Sequence, residues 1–208
     1  MAVRTWLRIG VRHVAGFLDD WSPRVAAVAR PAWRKVSVTL GLDDYWAHRR
    51  HFLYYQEVLR LARVHVPEGH TVLDVGANDT KVLRQLDWFQ RRVALDINPI
   101  PAQRGIERVQ TDFLAYRPDA PFDLVICLQV LEHLHDPATF ARRLVDMGRT
   151  VIVSVPHEWP AGLRPSHVQD PVSEAMLLGW MGRPAVETMI VRNGRDRLIA
   201  VFPGAASD

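Results

Sequence analysis

The sequence predicts an α/β fold: a mostly parallel, seven-stranded sheet with helices on both faces, behind a helical N-terminal segment. Three observations carry this. From Thr71 onward, short apolar runs alternate with stretches of helical period, as in strands joined by crossover helices. Several runs close on an acid or a glycine, Val72-Leu73-Asp74-Val75-Gly76 and Leu95-Asp96 most clearly. Late in the chain, two β-rich segments flank Asn193-Gly194, a hairpin signal.

A chain of 208 residues has room for one well-buried core and too little for two. No apolar run approaches the roughly 20 residues that span a bilayer. The single cysteine, Cys127, excludes an internal disulfide and cysteine-based zinc binding. It lies in an apolar run and reads as a packed thiol, which needs no oxidising compartment; the expected location is cytoplasmic. Lysine occurs only at 35 and 81, so arginine carries almost all of the positive charge behind the net +3. Arg4, Arg8, Arg12, Arg24, Arg30 and Arg34 cluster at the start. That segment lacks the serine richness of a transit peptide and contains Asp19 and Asp20, so it reads as a surface helical cap.

Taken in order, Leu7, Val11, Val14 and Leu18 give a helical stripe, broken at 16–23 and again at Pro31. A helix is predicted over 43–66, capped by Asp43 or Asp44, with Phe52, Tyr55, Leu59 and Ala62 on one face and Pro67 as its stop. Residues 1–66 thus form a helical cap, and 67–208 the sheet domain. Strands are predicted at Thr71–Val75, Arg92–Asp96, Arg108–Thr111, Phe122–Leu128, Thr150–Val155, Val186–Arg192 and Asp196–Phe202. Helices are predicted at Thr80–Phe89, Pro137–Met147 and Pro171–Met181, the last capped by Asp170 with Pro171 at its first position. Between Asp96 and Asp112, Pro99 and Pro101 leave no room for a full helix.

In such sheets ligands bind beyond the carboxyl ends of the strands, and the motifs fall there. Gly76 lets the chain turn closely past a ligand. Asp96, about 20 residues on, offers a carboxylate to both hydroxyls of a ribose. Asp112, with Phe113, suits the amino group of an adenine. After the fourth strand comes Leu128-Gln129-Val130-Leu131-Glu132-His133.

Over residues 68–202 the sequence resembles a class I S-adenosylmethionine-dependent methyltransferase. The resemblance rests on Asp74-Val75-Gly76-Ala77-Asn78-Asp79, Asp96, Asp112-Phe113 and the block from Phe122 to Pro137. It implies that S-adenosyl-L-methionine is the cofactor, with Asp74, Gly76 and Ala77 at its methionine part, Asp96 at the ribose, and Asp112 with Phe113 at the adenine. Asn78, Ile97, Leu128 and Gln129 complete the expected cradle. Asn78 stands where the family usually carries a second glycine; asparagine tolerates left-handed backbone angles, so the turn survives. A dinucleotide-binding dehydrogenase is less compatible with Gly76-Ala77-Asn78-Asp79-Thr80-Lys81, which lacks two of the three fingerprint glycines.

Methyl transfer is dominated by positioning, and a hydroxyl acceptor also needs a base or a metal. His133, His157 and His167 are the candidate bases. The Glu132-His133 block is similar to that of O-methyltransferases that hold Mg2+ with two glutamates and a histidine. Gln129 replaces the first glutamate, leaving Glu132, His133, His167 and Asp170 as possible metal ligands. Ser154-Val155-Pro156-His157-Glu158-Trp159 and His167-Val168-Gln169-Asp170-Pro171-Val172 resemble bacterial sugar O-methyltransferases of polysaccharide synthesis. A sugar or short glycan is therefore the expected acceptor, with Tyr45, Trp46, Tyr54, Tyr55 and Trp159 as candidate stacking residues or core. RNA ribose methylation and a non-catalytic cofactor-binding role are the alternatives. The arginine pairs at 49–50, 91–92 and 142–143 are scattered over different elements, which weighs against nucleic acid.

Overall fold

The computed structural model describes Trp46, residues 49–192 and residues 194–205. The chain divides into two compact units, residues 1–49 and 50–208. The expected helices over 1–40, the caps Asp43 and Asp44, and Tyr45 lie outside the described residues.

Seven strands form one sheet: β1 (Thr71–Val75), β2 (Arg91–Asp96), β3 (Glu107–Gln110), β4 (Phe122–Leu128), β5 (Gly148–Pro156), β6 (Glu187–Val191) and β7 (Arg197–Pro203). Their order is β3-β2-β1-β4-β5-β7-β6. The pairs from β3 through β5 are parallel, and β7 runs antiparallel to both β5 and β6. The chain reverses its direction of travel between β1 and β4, which places the binding crevice beyond their carboxyl ends. The central strands are buried on both faces and therefore read as unbroken apolar runs.

Among the described residues, three helices cover the sheet: α1 (Leu53–His65), α2 (Pro137–Met147) and α3 (Glu174–Met181). Because side chains alternate along a strand, Leu73, Val75, Val125, Cys127, Val151 and Val153 share one face. There they join Leu144 of α2 and Leu177 of α3 in one core cluster. The other face carries α1, which lies against β5, β6 and β7. Asp136 caps α2, accepting from Thr139 N at 3.1 Å, with Pro137 at the first helical position. At the amino end of the sheet Asp123 accepts from His70 N, Thr71 N and Thr71 Oγ1 at 2.8, 2.9 and 3.1 Å, tying β4 to β1.

Three expectations are corrected. The helix over 43–66 is interrupted at Arg50–Phe52 and resumes at Leu53. Its buried face is Tyr54, Tyr55, Val58, Leu61 and Ala62, shifted from the expected stripe. Thr80–Phe89 contains a single 3-10 turn, Val82–Arg84. Side chains take carbonyls that a longer helix would need: Gln103 Nε2 donates to Thr80 O and Arg92 Nη1 to Leu83 O. Finally, α3 starts at Glu174, not Pro171; Ser173 Oγ caps it, accepting from Met176 N at 3.2 Å. The Asp170 carboxylate is held elsewhere.

Candidate active site

The loop after β1 is shaped by backbone geometry. Gly76 has φ +75° and donates to Leu95 O at 2.8 Å; a Cβ there would lie 2.5 Å from Val130 Cγ2. Ala77 N donates to the same carbonyl at 3.1 Å. Asn78 takes φ +48°, the left-handed turn expected of it. Asp96, at the end of β2, clamps this loop to the next. Its Oδ2 accepts from Asn78 N at 2.9 Å, and Oδ1 accepts from Asn98 N at 2.8 Å and Asn98 Nδ2 at 3.2 Å. A carboxylate has further lone pairs for a ligand.

Asp74 points into the sheet's interior end, 3% exposed. Burial pushes its carboxyl up to about 7, against a partial offset from Thr80 Oγ1 at 3.4 Å. Ile97 is 67% exposed at the rim, an open apolar surface at the mouth of the cradle. Asp112 is exposed, its Oδ1 capping the 3-10 turn at Leu114 N. Phe113 is buried and packs on Phe140 with ring centroids 4.6 Å apart, so it belongs to the core cluster. Leu128 closes β4 half-buried. Gln129 follows at φ +58°, its Nε2 donating to the buried Ser154 Oγ at 3.2 Å.

Beyond β4, a 3-10 turn over Leu131–His133 and the loop 157–173 bring together side chains distant in sequence. Val168 N donates to Glu132 O, and Gln169 Nε2 to Leu134 O, fixing the loop against the turn. The Nδ1 of His133 lies 2.8 Å from Ser166 O. A carbonyl only accepts, so Nδ1 carries the proton and Nε2 keeps its lone pair. The Nδ1 of His167 lies 2.7 Å from Asp170 Oδ2, with the same consequence for its Nε2.

Both rings pack edge-on, centroids 4.8 Å apart. Glu132 is fully buried, and neither carboxylate oxygen has a hydrogen-bond partner. Burial pushes its carboxyl up to about 8. Burial also lowers the His133 pKa, keeping that ring neutral. One donor atom from each of Glu132, His133 and His167 lies within 4.8 Å of the others.

This sorts the predicted residues. Glu132, His133 and His167 converge. Asp170 does not join them directly; it orients His167. His157 is outside the group: it lines a recess on the neighbouring β5 loop. Tyr54 and Tyr55 are each 2% exposed and serve as core, not as stacking platforms. Trp159 is 7% exposed, stacks on His167 at 5.6 Å, and donates from Nε1 to Asp196 O at 2.7 Å. The contacts of Ser154 Oγ with Gln129 and of the Ser166 carbonyl with His133 had no signal in the sequence. The three-residue spacing of His167 and Asp170 was the available signal for their pairing.

Residues 45–185 match a family model described as a methyltransferase domain, and the chain belongs to that family. No curated protein matches the sequence. Among solved structures, the fold is similar to that of the 1,6-didemethyltoxoflavin-N1-methyltransferase of Burkholderia thailandensis, bound to 1,6-didemethyltoxoflavin and S-adenosylhomocysteine. There the TM-score is 0.65 at 19% identity, covering 88% of this chain and 91% of that one. The N-methyltransferase NodS of Bradyrhizobium japonicum WM9, with S-adenosylhomocysteine, gives 0.62 at 18% identity, covering 78% and 93%. The magnesium protoporphyrin IX methyltransferase of Synechocystis PCC 6803 gives 0.59 at 16%, covering 74% and 84%. The sheet is therefore the Rossmann-like sheet of class I S-adenosylmethionine-dependent methyltransferases. Among the described residues no helix is long and apolar enough to cross a membrane.

Proposed function

We propose that the chain is an S-adenosylmethionine-dependent O-methyltransferase acting on a hydroxyl of a small polar acceptor, a sugar or short glycan. One observation carries the reading: two imidazoles anchored at Nδ1 group with buried Glu132, one donor atom of each residue within 4.8 Å of the others and His133 Nε2 4.0 Å from Glu132 Oε1. S-adenosylmethionine supplies a methyl group on a sulfonium. The protein's part is to position and to move a proton. Asp74, Gly76, Ala77 and Asn78 hold the methionine end; Asp96 and Ile97 the ribose and its surroundings; Asp112, with Leu128 and Gln129 nearby, the rest of the cradle. Phe113 backs the adenine side from the core.

His133 is the accessible base. Its side chain is 39% exposed, its ring neutral, and its Nε2 free to accept the acceptor's proton. His167, 8% exposed, sets the approach. The sugar-type acceptor is supported by the similarity of segments 154–159 and 167–172 to sugar O-methyltransferases. An RNA acceptor is disfavoured because the paired arginines lie on different elements, and three of them have protein partners: Arg91 with Glu107, Arg92 with Leu83 O, Arg143 with Tyr116 O. A cytoplasmic location is part of the reading, as the one cysteine is buried.

A second reading adds a divalent cation at Glu132, His133 and His167, favoured by the two unpartnered oxygens of Glu132. Such an ion would make the acceptor hydroxyl more acidic. Two imidazole nitrogens and one carboxylate suit Zn2+ or Mn2+ better than the Mg2+ expected from the sequence, which prefers oxygen ligands.

The test is transfer of a labelled methyl group to a panel of saccharides and amines. The product should carry a methyl ether, and His133→Ala should lose about 100-fold or more in turnover. Methylation of amines alone, or full activity of the variant, would overturn the reading. Activity that survives thorough chelation would remove the cation.

A further inference from the structure

Next to the Glu132-His133-His167 group lies a recess of about 520 Å³ between the loop after β5 and the β6–β7 turn. Its volume falls within the range of small-molecule sites. None of Glu132, His133 and His167 lines it; Trp159 is the shared wall. The His167 ring stacks on Trp159, and the guanidinium of Arg195 lies 5.2 Å from the same indole.

Three non-glycine residues among those described take positive φ: Asn78, Gln129 and Glu158. Each sits just past the carboxyl end of a strand. Asn78 and Gln129 belong to the cofactor cradle. Glu158, at φ +51° and exposed, is the one without a task in the mechanism, and it lines this recess. Residues held in sparsely populated backbone conformations gather at ligand sites.

The charges select the kind of ligand. Glu158 and Asp196 line the recess together with Arg192 and Arg195, and Arg192 and Asp196, on the same turn, are 3.6 Å apart. An anionic group would meet two carboxylates, and a cationic group two guanidinia. A neutral polyol satisfies both kinds: carboxylates accept from its hydroxyls and guanidinia donate to its oxygens. Leu163, 39% exposed, offers apolar surface to the polyol's C–H groups.

We infer that this recess is an acceptor subsite for a neutral sugar unit adjacent to the one methylated, so that the acceptor is a glycan of two or more units. The inference rests on the acceptor reading above. Arg195 and Glu158 are its specificity-determining residues.

The full chain saturated with S-adenosylhomocysteine should be applied to an array of neutral, phosphorylated and carboxylated saccharides of one to four units. Neutral saccharides of two or more units should bind at least tenfold tighter than monosaccharides. Arg195→Ala and Glu158→Gln should each remove that gain, with S-adenosylhomocysteine affinity unchanged as a check on folding. Three results would overturn the inference: no saccharide bound, phosphorylated or carboxylated forms preferred, or variants that bind as the wild type does. Methyl transfer to saccharides with both variants kinetically normal sinks the subsite and leaves the O-methyl reading standing. Chain-length-dependent binding lost in both variants upholds the subsite even if transfer goes to an amine.

Discussion

His167 donates from Nδ1 to the Asp170 carboxylate at 2.7 Å, and both side chains are buried, 8% and 1% exposed. The pair fixes the tautomer and the ring plane of an imidazole that packs against His133, centroids 4.8 Å apart, and groups with Glu132. Asp170→Ala should therefore lower kcat about tenfold or more, while the calorimetric affinity for S-adenosylhomocysteine stays as in the wild type. Asp170→Asn, which keeps an oxygen for Nδ1–H, should recover part of the loss. Equal activity in all three proteins would make the pair purely structural.

Asp96 joins Asn78 N to Asn98 N and, in the proposed reading, also holds the ribose. Asp96→Ala should abolish measurable S-adenosylhomocysteine binding and also cost about 1–3 kcal/mol of stability, since three hydrogen bonds to a charged group are lost. Chemical denaturation and calorimetry on the same sample separate the two effects. Undiminished affinity would refute the ribose assignment.

At Gly76 two costs coincide. Gly76→Ala forces a Cβ onto a backbone at φ +75° and against Val130, so unfolding should be easier by about 1–3 kcal/mol. Val130→Ala in the same chain should return the steric part and leave the backbone part. A double variant no more stable than Gly76→Ala would show that Val130 does not matter.

Asp74 gives a pH signature. Its pKa is raised from 3.8 to about 7 by burial, so the folded state binds a proton the unfolded state releases. That contribution is fully present below about pH 4 and is lost as pH rises through 7. The difference in melting temperature between Asp74→Asn and wild type, without cofactor, should grow in favour of the variant from pH 4 to 8. A flat difference across that range contradicts a carboxyl whose pKa is raised by burial.

Glu132 should show function traded against stability. A fully buried carboxyl without a partner costs the fold. Glu132→Met should therefore unfold at a higher denaturant concentration than wild type, by roughly 1–2 kcal/mol, and be inactive. A variant less stable than wild type would mean that the carboxylate is satisfied in the folded protein.

The sheet was legible because its strands are written twice, once in apolar runs and again in the acid or glycine that ends them. Thr71–Val75, Phe122–Leu128 and Pro137–Met147 have the boundaries the sequence predicts. Thr80–Phe89 misled because Val82, Leu83, Leu86 and Phe89 have helical spacing, yet they are buried from a chain of short turns whose carbonyls are taken by Gln103 and Arg92. Asp170-Pro171 carries the composition of a helix start, but the carboxylate gains more from a buried imidazole than from an exposed helix end. The complete burial of Glu132 had no local signal. Its neighbours His133 and His135 are polar and exposed, and only the return of loop 157–173 closes over it.

The position of β7 bears on how the protein is made. The strand emerges from the ribosome after β6 yet lies between β6 and β5, so β6 has no place in the sheet until β7 exists. Until then the edge of β5, apolar from Val151 to Val155 but for Ser154, is exposed to the crowded cell as an unpaired strand. The β6–β7 hairpin can form first and dock as a unit through β7. During synthesis, then, the interval between the appearance of β5 and the arrival of that hairpin is when the nascent chain is most open to aggregation and most in need of a chaperone.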